Sequence, residues 1–146
     1  AFYADYAAHK AFLHSHTYSG NPLGCAAALA VLDILENEPV LQEARVKAAY
    51  LNAALHAALG GHPNVGEIRY IGLINAIELV ADKRAKTPFD SRLRTGYVIY
   101  KKALEAGLLL RPLGDVLYFN PALNIDNATL DEAIRRCHAS IAAVLG

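Results

Sequence analysis

An α+β fold, a short antiparallel or mixed sheet with helices packed on one face, is what these 146 residues predict. Three observations carry it. Leu41, Ala44, Ala48, Leu51, Leu55 and Leu59 recur at helical steps and form an amphipathic stripe. From Glu67 to Val80 the period drops to that of strands. The composition, 54% hydrophobic and 19% charged, suits a packed core rather than a disordered chain.

The elements follow in order. Residues 1–13, with Phe2, Tyr3, Tyr6 and Phe12, read as a helical or irregular lead-in. A polar loop runs from His14 to Pro22. Asn21 suits a helix cap, and Pro22 suits the first helical position because it has no N–H to leave unpaired. The helix that follows, Cys25 through Ala30, is small nearly all round, which predicts an interior helix packed on several sides. Glu36-Asn37-Glu38-Pro39 breaks the pattern, so the chain is divided into residues 1–37 and 38–146.

The amphipathic helix comes next and runs to Gly60-Gly61, where a left-handed cap is predicted. Glu67–Ile71 and Leu73–Val80 read as strands broken at Gly72, and Asp82 to Phe89 as a charged loop. Ser91 to Ala106 is helical, with Leu93, Tyr97, Tyr100 and Leu104 at helical spacing and Gly107 closing it. Leu108–Pro112 and Val116–Pro121 form a hairpin across Leu113-Gly114-Asp115. Asp126 caps a last helix whose inner face carries Leu130, Ile134, Ile141 and Leu145.

Charge excludes some functions. Lys+Arg and Asp+Glu balance at 14 each, so there is no basic stripe to release counterions from a nucleic-acid backbone. No apolar run reaches the roughly 18–20 residues that span a bilayer, and the N-terminus has no signal-peptide pattern, so no membrane partner is expected. Cys25 and Cys137 form no C-x-x-C pair and read as two reduced core thiols of a cytoplasmic protein. The chain opens at Ala1, without a Met and inside helix-like sequence, and reads as a cut-out of something longer.

Few residues stand out for chemistry. A polar loop leading into a helix start is a natural anion site if the first N–H groups are free, and an ordinary capping loop if they are not. Arg111 follows the apolar run Leu108-Leu109-Leu110 and precedes Pro112. Its planar fork matches a carboxylate through two parallel hydrogen bonds, although a structural salt bridge or an edge residue would also account for it. His9, His14 and His16 cluster, but no Cys or carboxylate stands at zinc-site spacing, so no metal is assigned. Glu132 and Arg136 make an i,i+4 surface pair, while Glu67 and Glu78 lie in strands without an evident partner.

Two segments carry a resemblance. His14, then Thr17-Tyr18-Ser19-Gly20-Asn21-Pro22-Leu23-Gly24-Cys25-Ala26, is similar to the H-x-x-T-[FY]-x-G-N-P-[LV]-[AG]-C-A signature of class III (fold-type I) aminotransferases. Gly107 to Gly114 with Val116 to Pro121 resembles the family's G-x-x-x-R-P-x-G…Y-x-x-P segment. Within the family both resemble most the biotin-synthesis branch, which aminates 8-amino-7-oxononanoate with S-adenosylmethionine, or in some members lysine, as donor; another class III aminotransferase of the ornithine or omega-amino-acid type, which shares the G-N-P helix, and a non-catalytic dimerisation module are the alternatives.

The resemblance implies a pyridoxal 5′-phosphate enzyme of the type I fold acting on small molecules. Residues 1–37 would be the tail of its large domain and 38–146 its small C-terminal domain. It also implies a homodimer with composite sites, in which Thr17 reaches the cofactor phosphate in the neighbouring subunit with His16 and Tyr18 beside it. Arg111 would bind the substrate carboxylate, with Ser15 and Tyr118 close by. The cofactor-holding lysine and the aspartate that pairs with the pyridine nitrogen belong to the large domain, ahead of residue 1. No catalytic residue is therefore expected in this chain, and alone it is expected to be inactive.

Overall fold

The structure, a computed structural model, describes residues 4–10 and 16–146. It divides into two compact units, Ala1–Glu38 and Pro39–Gly146. In the first, a short 3-10 turn at Tyr6–Ala8 precedes helix α1, Pro22–Asn37. Asn21 caps α1 and Pro22 occupies its first turn. None of the residues of α1 is buried. The helix that composition marks as interior therefore lies bare, with Leu23 82% and Leu29 66% exposed. Among the described residues of this unit, its small apolar surface has nothing to pack on.

The second unit holds the core. Helix α2, Val40–Leu59, buries Ala44, Ala48, Leu51, Leu55 and Leu59, while Leu41 at the end of the stripe stays exposed. Strands β1 (Val65–Ile71), β2 (Ile74–Leu79), β3 (Arg111–Leu113) and β4 (Val116–Phe119) form one sheet in the order β1-β2-β4-β3. Every pairing is antiparallel, which settles the antiparallel-or-mixed alternative. Helices α3 (Thr95–Glu105) and α4 (Asn127–Leu145) complete the unit. Ile77, Leu79, Leu117 and Phe119 alternate toward the helices and join Leu51, Leu55, Ile99, Leu130 and Ile141 in one cluster. Burying each such side chain is worth about 1.5–3 kcal/mol, and this cluster supplies most of the driving force for folding.

Several expectations are corrected. Gly60 ends α2 with right-handed dihedrals, so no left-handed glycine closes that helix. The helical segment at Ser91 is interrupted: a 3-10 turn, Ser91–Leu93, leads into Arg94 at φ 49°, and α3 starts only at Thr95. The buried face of α3 is Thr95, Gly96, Ile99 and Ala103, whereas Leu93, Tyr97 and Leu104 are exposed. Small side chains let α3 approach the hairpin and α4 closely, and that close approach decides the inward face over the bulkier stripe. Gly107, at φ 75°, closes α3 with the Leu108 N–H bonded to Ala103 O, as its position suggests. β3 begins at Arg111 rather than Leu108, and β4 ends at Phe119.

Asp126 caps α4 by accepting from the Thr129 N–H at 2.8 Å. Tyr50 of α2 donates to Asp131 of α4 at 2.5 Å, and the buried Asn75 accepts from Asn52 at 3.2 Å. Cys137 is buried, but Cys25 is exposed, so only one thiol belongs to a core. No helix among the described residues is long and apolar enough to cross a membrane.

Candidate functional site

The loop ahead of α1 is built by local hydrogen bonds. The His16 N–H donates to Ser19 Oγ at 2.9 Å, the Ser19 N–H returns to His16 O at 2.9 Å, and the Asn21 N–H reaches Tyr18 O at 3.1 Å. This turn presents Thr17 at its tip, exposed, with its hydroxyl free of any partner among the described residues. The rings of His16 and Tyr18 stack beside it with centroids 5.5 Å apart. Ser15 and His14 lie outside the described residues.

The start of α1 resolves the two readings of this loop. Asn21 Oδ1 accepts from the Leu23 N–H at 2.9 Å and the Gly24 N–H at 3.3 Å, and the Cys25 N–H bonds to Asn21 O. Pro22 has no N–H. The helix end is thus fully capped from within and keeps no N–H free for an anion. The exposed Thr17 hydroxyl stands on the same loop, ahead of the positive end of the helix dipole.

In the second unit, β3 and β4 bring two predicted residues together. Arg111 is the register partner of Tyr118, and Tyr118 pairs in turn with Ala76 of β2 and through it with Arg69 of β1. Leu117 and Phe119, on either side of Tyr118, are buried among the helices. Arg111 and Tyr118 therefore share the opposite, open face of the sheet. The Arg111 side chain is exposed and carries no salt bridge or hydrogen bond among the described residues, so it costs no buried charge. Arg69, Arg92, Arg135 and Arg136, by contrast, are each engaged by carboxylates. A guanidinium left unspent beside a phenol on an open face can receive an external carboxylate.

The family profile for "Aminotransferase class-III" matches residues 3–141. The chain belongs to the class-III aminotransferases. It is 41% identical over 143 residues to the adenosylmethionine-8-amino-7-oxononanoate aminotransferase of Nitratidesulfovibrio vulgaris, covering 98% of this chain and 26% of that protein. Among solved structures, it matches a thermostable (S)-enantioselective omega-transaminase from Thermomicrobium roseum with TM-score 0.87 at 35% identity, over 96% of this chain and 31% of the other. It also matches the PMP-bound form of an aminotransferase from Vibrio fluvialis with TM-score 0.85 at 35% identity, over 94% and 30% of the two chains. The chain thus spans between a quarter and a third of the length of these class-III relatives. Class-III aminotransferases use pyridoxal phosphate.

Two arrangements of this class-III chain escaped the sequence reading. Glu67 and Glu78 do have a partner: Arg69 Nη1 lies 3.2 Å from Glu67 and 2.5 Å from Glu78, and these bonds raise the Arg69 pKa further. The signal was present, since a two-residue turn at Gly72-Leu73 places Glu67 opposite Glu78. Asp115 is the other. Its Oδ1 accepts from the Gly96 N–H at 2.9 Å, across 19 residues, and no local pattern announces that bond. Among the described residues no group of three His, Cys, Asp or Glu could hold a metal.

Proposed function

We propose that this chain is the C-terminal part of a longer class-III aminotransferase that transfers an amino group to 8-amino-7-oxononanoate, giving 7,8-diaminononanoate. The observation that carries the reading is the pairing of Arg111 with Tyr118 on the open sheet face, with the guanidinium unspent. The 41% identity to a relative named for that reaction supports it, and the same name points to S-adenosylmethionine as the donor. In this reading residues 1–37 are the tail of the large cofactor domain and residues 38–146 the small domain. The enzyme is a homodimer of the soluble cytoplasm.

Pyridoxal phosphate, when bound, supplies the carbonyl carbon and the electron-withdrawing ring through which an amino group is passed. The chain's own residues have simpler tasks. Thr17 fits the phosphate because its hydroxyl is exposed and unengaged on a tight turn, and it would hold the phosphate in the partner subunit's site as a hydroxyl donor. His16 and Tyr18 would flank that phosphate. Arg111 holds the acceptor's carboxylate by a bidentate pair, leaving the keto carbon at the other end of the chain to reach the cofactor. Tyr118 lines the same pocket. The lysine that bonds to the cofactor lies in the large domain, so the 146-residue chain alone is inert.

A second reading, an omega-amino-acid transaminase, is favoured by the structural likeness to the Thermomicrobium roseum enzyme. A substrate panel on the full-length protein separates the two. The first reading predicts a kcat/KM for 8-amino-7-oxononanoate at least about 100-fold above that for simple omega-amino acids or their aldehydes. Equal or reversed values would establish the second.

A further inference from the structure

Helix α3 lacks a cap of its own. Its N-cap residue, Arg94, sits in the left-handed region at φ 49° and makes no side-chain bond to the helix start, since a guanidinium carries no acceptor. No acidic residue lies in the first turn. The acceptor comes instead from the β3–β4 turn: Asp115 Oδ1 takes the Gly96 N–H at 2.9 Å, and the Asp115 carbonyl takes the Leu79 N–H at 2.9 Å. One residue thereby ties the hairpin turn both to the start of α3 and to the end of β2.

The joint is built tightly. A Cβ on Gly96 would stand 2.2 Å from Gly114 O, so only glycine lets the helix start and the turn meet. The carboxylate lies at the positive end of the α3 dipole, where a negative charge is favoured. The joint also has something to hold. β3 is an edge strand of three residues with Pro112, which has no N–H, at its centre. Ladder bonds alone fix such a strand weakly, and its first residue is Arg111.

We propose that Asp115 is a positioning residue for substrate binding: by capping α3 from the hairpin turn it fixes β3, and so the direction in which Arg111 presents its guanidinium. This rests on the carboxylate-binding role proposed for Arg111. Asp115 itself touches no substrate.

Kinetics of the full-length protein and amide exchange of the chain test this together. Asp115→Ala removes the acceptor, while Asp115→Asn keeps an oxygen at that position. The first is expected to raise KM for the carboxylate-bearing acceptor about five- to tenfold with kcat and the donor KM nearly unchanged, and the second to restore most of it. The Gly96 amide should exchange fast in Asp115→Ala and stay protected in Asp115→Asn. If Asp115→Ala does not fold, Asp115→Ser, with a shorter oxygen reach, should fall between wild type and complete loss in both readouts.

A fall in kcat at constant KM overturns the proposal, as does an Asp115→Asn enzyme as impaired as Asp115→Ala. Arg111→Ala is the control. If it raises KM and Asp115→Ala does not, the coupling alone fails. If Arg111→Ala leaves KM unchanged, the carboxylate role of Arg111 fails and the positioning role falls with it, whatever the Gly96 amide does.

Discussion

The two units of this chain obey the same rules of burial with opposite results. Pro39–Gly146 closes four strands and three helices on one apolar cluster, with Leu51, Leu55, Ile77 and Leu117 fully withdrawn from water. Ala1–Glu38 contains a helix at least as apolar, yet none of that helix is buried. Apolar composition therefore does not make a core. A helix that is small and apolar all round suits cover on several sides, and the described residues of its own unit supply none. The contrast fits the proposed function, in which the first unit belongs to a larger domain and the second is a domain in itself.

Paired leucines sharpen the comparison most. Leu55→Ala in α2 removes a fully buried side chain and should destabilise the chain by about 2–5 kcal/mol in urea melts. Leu29→Ala in α1, 66% exposed, should change stability by no more than about 0.5 kcal/mol. A large loss at Leu29 would show that α1 is packed after all.

The two thiols give a second contrast. Burial pushes the Cys137 pKa up to about 12, whereas Cys25 is exposed on α1. A disulfide reagent at pH 8 should modify one thiol of the native chain quickly, abolished by Cys25→Ser, and the other only on unfolding.

The smallest effect is one of pH, and it belongs to the second unit. His62 Nδ1 accepts from the Asn64 N–H at 3.1 Å, while its buried Nε2 finds no partner among the described residues. Burial lowers the His62 pKa, helped by the nearby His138 and Lys83. The unfolded imidazole then takes up its proton first. Stability should be full above the ordinary value of 6.5, fall as the pH drops through it, and level off below the folded value. Urea midpoints between pH 7.5 and 5, compared with His62→Gln, would reveal the slope; an identical slope in the variant would remove His62 from the account.

Much of this was legible beforehand, for reasons that can be named. The stripe from Ala44 to Leu59 has a single period and one neighbour to face, so pattern and burial agree. Asn21 and Asp126 cap within three residues of their partners, and such local chemistry is visible in the string. The failures are non-local. The buried face of α3 is not legible in its spacing, because Gly96 and Ala103 are chosen by what they approach rather than by their own hydrophobicity. Asp115 was overlooked because its N–H partner lies across the fold. At the candidate site, Arg111 and Tyr118 were recognisable by motif, but their adjacency depends on the hairpin register around Gly114-Asp115. Ahead of α1, the Asn21 cap that the sequence foretells takes the Leu23 and Gly24 N–H groups an anion would otherwise meet.

The most direct test concerns Arg111. In the full-length protein, Arg111→Ala should weaken binding of 8-amino-7-oxononanoate by about 30- to 300-fold, the worth of a charge-assisted bidentate pair, and leave the donor within about threefold. Acceptor affinity unchanged by the substitution, or donor affinity lost to the same degree, would contradict the account.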